Sequence, residues 1–94
     1  MTRVEHEPDG GRFLVRLDAG EAELEYIERE GRVLDLIHTF VPPEERGQGI
    51  GAALVEHAFG YAREEGYRVR ASCPFVRRWV EDHPEQAGLL EAAA

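Results

Sequence analysis

Along the first forty residues apolar and polar positions alternate. Phe13, Val15 and Leu17 alternate with Leu14 and Arg16, and Ala22, Leu24 and Tyr26 alternate with Glu23, Glu25 and Ile27, the two-residue period of half-buried strands. Turn chemistry falls between these runs at Pro8-Asp9-Gly10-Gly11, Asp18-Ala19-Gly20 and Glu30-Gly31-Arg32. The pattern predicts an antiparallel meander of three or four strands, about 2–7, 12–18, 21–29 and 32–40. The last contains Val33-Leu34-Asp35-Leu36-Ile37 and is the most apolar, as a central strand should be. Pro42-Pro43 stops it, because neither residue can donate to a ladder.

From residue 50 the period lengthens. Ile50, Leu54, Ala58 and Ala62, with Val55 and Phe59 beside them, recur at helical spacing, and Gly66 is placed to end a helix of about 49–65. Tyr67 to Ser72 reads as a short strand. Cys73-Pro74 then opens a second helix with Phe75, Val76, Trp79 and Val80 on one face, ending before Pro84. The Ala-rich tail from Gln86 to Ala94 reads as a last helical turn or a frayed end. Strand, helix, strand in that order implies a right-handed crossover between parallel strands. The expected class is therefore α+β: a mostly antiparallel mixed sheet, one parallel β-α-β crossover and two main helices. A length of 94 residues bounds residues 1–94 to one domain.

Charge narrows the partners. The balance is 11 basic against 19 acidic side chains, a formal charge of -8, which argues against nucleic acid, whose binding rests on cations neutralising phosphates. Every basic residue is Arg, so Lys-dependent phosphate loops and Schiff bases are excluded. The single Cys73 cannot form an internal disulfide, no signal-peptide pattern opens the chain, and no apolar run approaches membrane-spanning length. A cytoplasmic protein without a membrane segment is expected, as a monomer or weak homodimer.

The informative segment is Arg46-Gly47-Gln48-Gly49-Ile50-Gly51, between an apolar strand and an amphipathic helix. Glycine costs ~0.8 to 1 kcal/mol relative to Ala inside a helix, so three at one helix start point to backbone access or unusual dihedrals. Bare backbone at a helix N-terminus suits a phosphate; an ordinary glycine-rich turn is the plainer alternative. A Walker loop fails because Gly51 is followed by Ala52-Ala53 instead of Lys and Ser or Thr. A dinucleotide fingerprint fits Gly47-x-Gly49-x-x-Ala52, but no acid follows in Arg68 to Cys73, and one βαβ unit does not make the doubly wound sheet.

Arg46-x-x-Gly49-x-Gly51 resembles the coenzyme A diphosphate loop of the GNAT superfamily of N-acetyltransferases. The wider run His38 to Gly51, then Cys73-Pro74-Phe75-Val76, then His83-Pro84-Glu85 is similar to its short single-domain subgroup, a core without the usual N-terminal helices. The resemblance implies acetyl-CoA as cofactor and an amine as acceptor. It lays the diphosphate on backbone N–H groups of Gln48, Gly49, Ile50, Gly51 and Ala52 in the Gly47 loop, with Arg46 beside them. It pairs the pantetheine arm with the backbone of Thr39, Phe40 and Val41. Phe40 stands where the subgroup often carries Glu, and Gln86 where an aromatic residue is expected.

Acetyl transfer to an amine needs a base and a proton source for the leaving thiolate. Cys73, at a predicted helix N-terminus that favours thiolate, is a candidate nucleophile, proton donor or pocket wall; a small buried apolar residue is the plain alternative. His38, near the strand end, is the candidate base. Alternation puts it on the face of Leu34 and Leu36, where a hydrogen-bonded core His is equally consistent. His57 reads as solvated and His83 as a complement to its helix dipole. No metal is expected, since the His spacing is wrong and one Cys is too few. The acidic field prefers a cationic acceptor, either a small amine or a protein Lys side chain, while Arg46, Arg77 and Arg78 would offset that field for an anionic coenzyme. The rival function is a non-catalytic acyl-CoA-binding regulatory module.

Overall fold

In the computed structural model, which describes residues 2–91, β1 (Glu5–Glu7), β2 (Arg12–Leu17), β3 (Gly20–Arg29) and β4 (Val33–Phe40) form an antiparallel meander. Helix α1 (Ile50–Glu65) crosses over to β5 (Arg68–Ala71), which pairs parallel to β4, and α2 (Pro74–Asp82) follows. The strand order is β1-β2-β3-β4-β5. The apolar β4 is interior but fourth of five, because β5 is the single strand added beyond the meander. The mixed-sheet α+β architecture expected from the periodicities is present.

Both helix boundaries follow from residue chemistry. Gly49 (φ 80°) precedes α1 and Gly66 (φ 78°) ends it, the Gly66 N–H reaching the Ala62 carbonyl. Cys73 is the extended residue before α2, and Pro74 takes the first helical position, where a missing N–H costs nothing. One face of α1 (Leu54, Val55, Ala58, Phe59, Ala62) packs on Phe13, Val15, Ala22, Leu24, Leu34 and Leu36 of the sheet. Val76, Trp79 and Val80 of α2 join the same core, and the Phe59 and Trp79 rings lie 4.9 Å apart. Phe75, expected on this face, is instead 45% exposed, because in the first turn of α2 its ring lies against Gly51 in the first turn of α1.

The opposite sheet face carries no helix among the described residues. It is laced by Arg12 with Glu7, Glu21 and Glu23 and by Arg16 with Glu5 and Glu21. These pairs enclose Leu14, which is fully buried although its alternation assigns it to solvent. The tail also departs from expectation. Pro84–Leu89 is a 3-10 segment, after which Leu90 bridges Val69 and the Glu91 N–H bonds the Val69 carbonyl at 2.9 Å, covering the free edge of β5. The expected tail beyond Glu91 lies outside the described residues.

One irregularity positions the site. Between β3 and β4, Glu25 faces His38 while Tyr26 faces Leu36, so Ile37 is an extra residue on β4. A bulge reverses the alternation beyond it. Thr39, paired with the buried Leu24, therefore takes the helix-covered face, and His38 joins Glu25 on the open one.

Candidate active site

The parallel ladder between β4 and β5 ends at Leu36 and Ala71. One further bond, from the Cys73 N–H to the Leu36 carbonyl at 3.0 Å, ties the strands before they part. Beyond it a groove of about 500 Å³ runs from Thr39, Phe40 and Val41 to the start of α1. Arg46, Gly47, Gly49, Ile50, Gly51 and Ala52 line it, together with Glu45 and Phe75. The end of β4 and the glycine loop that follows it in sequence thus share one cleft, and of the expected coenzyme-contacting residues only Gln48 is not on its wall. The Gln48 side chain turns back toward Glu45, 3.5 Å away.

The groove's polar end is the helix terminus. The first helical bond runs from the Ala53 N–H to the Gly49 carbonyl at 3.0 Å, and no side chain caps α1. The N–H groups of Ile50, Gly51 and Ala52 are therefore left for an external acceptor. Gly47 (φ 82°) and Gly49 are left-handed, and a Cβ at either would meet no protein atom within 4 Å. Their glycine requirement comes from backbone conformation, and the space before them is open. Gly51 differs: a Cβ there would stand 2.8 Å from the Phe75 ring, so its bareness seats Phe75 as an apolar wall. This donor set and open space fit a diphosphate with an apolar arm, the shape of coenzyme A. Arg46 lies at the rim and its Nε donates to the Val41 carbonyl at 3.0 Å, so that carbonyl is already partnered.

Cys73 lies behind the groove wall. It is 5% exposed, and its Sγ is 3.5 Å from Thr39 Oγ1. Burial works to raise its pKa, but hydrogen bonds from the Thr39 hydroxyl and the N–H groups of Val76, Phe75 and Thr39 outweigh it, holding the thiol below its ordinary value. His38 is not brought to this cluster. It is exposed on the open face, where the bulge at Ile37 puts it, which corrects its expected place beside Leu34 and Leu36. Arg77 is likewise turned away from the groove, donating to the carbonyls of Ala71 and Ser72, and Arg78 is not among the residues lining it. His57 is exposed, and His83 Nδ1 lies 2.8 Å from the Trp79 carbonyl at the end of α2. Among the described residues no His, Cys, Asp and Glu grouping is arranged to hold a metal ion, and no helix is long and apolar enough to cross a membrane.

Sequence reasoning missed Phe75, Glu45 and the Thr39 side chain as parts of this region. Thr39 was recognisable only through a bulge that no residue type announces.

Comparison with known proteins agrees with this architecture. The family model described as GCN5-related N-acetyl-transferase matches residues 12–89. Protein NATD1 of Bos taurus is 35% identical over 86 residues, spanning 87% of this chain and 74% of that protein; NATD1 of Homo sapiens is 34% identical over 86 residues with the same coverage of each, 87% and 74%. The solution structure of a GCN5-like candidate N-acetyltransferase from Staphylococcus aureus matches with a TM-score of 0.76 over 98% of this chain and 90% of that one, at 23% identity, and so shares the fold. With the matched model spanning β2 through the 3-10 segment after α2, the chain belongs to the GCN5-related N-acetyltransferase family.

Proposed function

We propose that this protein transfers an acetyl group from acetyl-CoA to a cationic amine, a small molecule or a protein Lys side chain. The observation that carries the proposal is the continuous groove from Thr39 to the uncapped N-terminus of α1. When bound, the coenzyme supplies the activated acetyl group and the thiolate leaving group. The chain's part is to bind and orient it. The free N–H groups of Ile50, Gly51 and Ala52 hold the diphosphate, Arg46 adds positive charge at the rim, and Val41, Ile50 and Phe75 exclude water from the arm. The donors around Cys73 Sγ favour negative charge on that sulfur, just behind the Thr39 end of the groove.

The amine is proposed to approach from the open sheet face. There His38 pairs with Glu25 and Phe40 with Glu23, a setting that attracts a cation and gives His38 the role of base. The same displacement of His38 also favours the second reading, a non-catalytic acyl-CoA-binding module, because the groove itself holds only Glu45 and Arg46 as charged side chains. Calorimetric titration with coenzyme A tests the groove. Saturable binding supports both readings, and its absence rejects both. Release of free thiol from acetyl-CoA in the presence of a polyamine or a Lys-containing peptide then separates enzyme from binder.

A further inference from the structure

The one charged residue buried among the described residues is Asp35, 2% exposed, in the middle of the most apolar strand. A buried carboxylate is costly unless paired, and an apolar residue of similar volume commonly serves packing at least as well. Its partners indicate what it does. Oδ2 accepts from Arg29 Nε at 3.1 Å, with Arg70 Nη1 at 4.0 Å, so two guanidinium groups neutralise it. Oδ1 accepts from Ser72 Oγ at 2.7 Å. Arg70 is the ladder partner of Asp35 on β5, so the carboxylate reaches diagonally past its own register to the first residue beyond the strand.

That residue stands where the ladder gives out. Pairing ends at Leu36 and Ala71, and one bond from Cys73 to Leu36 follows. Ser72 lies between these two points, and Arg77 Nη1 tethers its carbonyl at 2.7 Å and that of Ala71 at 3.1 Å. We infer that Asp35 is a positioning residue: by gripping Ser72 it fixes the chain at the parting of β4 and β5 and holds Cys73 against Thr39. A charged acceptor makes a stronger bond than a neutral one, which accounts for a carboxylate at this site. For turnover the inference rests on the proposed coenzyme groove. For the placement of Cys73 it does not.

The test uses the chain's single cysteine, whose thiolate absorbance in the ultraviolet can be titrated without any coenzyme. Ser72→Ala and Asp35→Asn should move the Cys73 midpoint upward, because Thr39 and the α2 N–H groups no longer meet the sulfur squarely. Ser72→Thr, which keeps the hydroxyl, should titrate like the parent. A purely structural ion pair would lower the melting temperature and leave the midpoint in place, so an unchanged midpoint in folded Ser72→Ala overturns the inference. If Asp35→Asn does not fold, Ser72→Ala decides alone, since Ser72 as a residue is exposed and the change removes only its hydroxyl. In the acetyl-transfer assay Ser72→Ala should lose on the order of tenfold in kcat with coenzyme Kd unchanged. A parent without turnover would count against the enzymatic reading and leave the titration result standing.

Discussion

Gly49 and Gly31 offer a matched pair that separates folding from binding. Both are left-handed, φ 80° and φ 77°, and a Cβ at either meets nothing within 4 Å. Replacing either by Ala therefore costs only backbone strain, roughly 1 to 2 kcal/mol, offset by about 0.4 to 1 kcal/mol from the stiffer unfolded chain. The net loss is at most about 1.6 kcal/mol, a fall of no more than roughly 13 °C in Tm for a chain of this size. Gly31→Ala and Gly49→Ala should thus melt at nearly the same temperature. They differ in what the methyl faces. At Gly31 it enters solvent in the β3–β4 turn, whereas at Gly49 it enters the groove before the free N–H groups of α1. Calorimetry with coenzyme A should give parental affinity for Gly31→Ala and a loss of tenfold or more, about 1.4 kcal/mol, for Gly49→Ala. Equal affinity in the two variants would refute the assignment of the diphosphate to this loop.

Other expectations address individual side chains. His38→Gln should remove the acidic limb of the pH–rate profile with coenzyme affinity intact; a parental profile would leave His38 without a role as base. Incubation of the protein with acetyl-CoA alone should leave its mass unchanged in spectrometry, since Cys73 is buried behind the groove wall, and a stoichiometric acetyl adduct on Cys73 would show a covalent route instead. The lowered Cys73 pKa makes the folded state release its proton before the unfolded chain does. The stability of the parent relative to Cys73→Ala should therefore rise as pH climbs from the lowered folded value to the ordinary thiol value, then level off. His6 is held below its ordinary value by burial and, secondarily, by the charge of His57. Its contribution to stability is present above the unfolded value and is lost as pH falls through the folded one, so His6→Gln should flatten the acid side of a Tm-against-pH curve.

Much of this could be read from residue types because its physics is local. Gly66 and Cys73-Pro74 mark helix ends through backbone dihedrals, Gly47 and Gly49 mark the groove for the same reason, and Gly51 marks it by leaving room for Phe75. What escaped reading depends on residues distant in sequence. The burial of Leu14 needs the Arg and Glu side chains of three strands to close over it. Asp35 looks misplaced until Arg29, Arg70 and Ser72 converge on it. The face of His38 turns on a single unpaired residue, and alternation counted without that residue gives the opposite answer.

That unpaired residue also divides β4 into two stretches under different constraints. Up to Leu36, every substitution is felt by the packed interior, through Leu34 and Leu36 on one side and Asp35 on the other. Past Ile37 the positions at 38 and 40 are exposed, so they can be exchanged for almost any side chain at little thermodynamic cost. One strand thereby joins a packed stretch to an exposed one. His38 can change on the open face without touching the groove, whereas Phe40, although exposed, is also part of the groove wall and links the two.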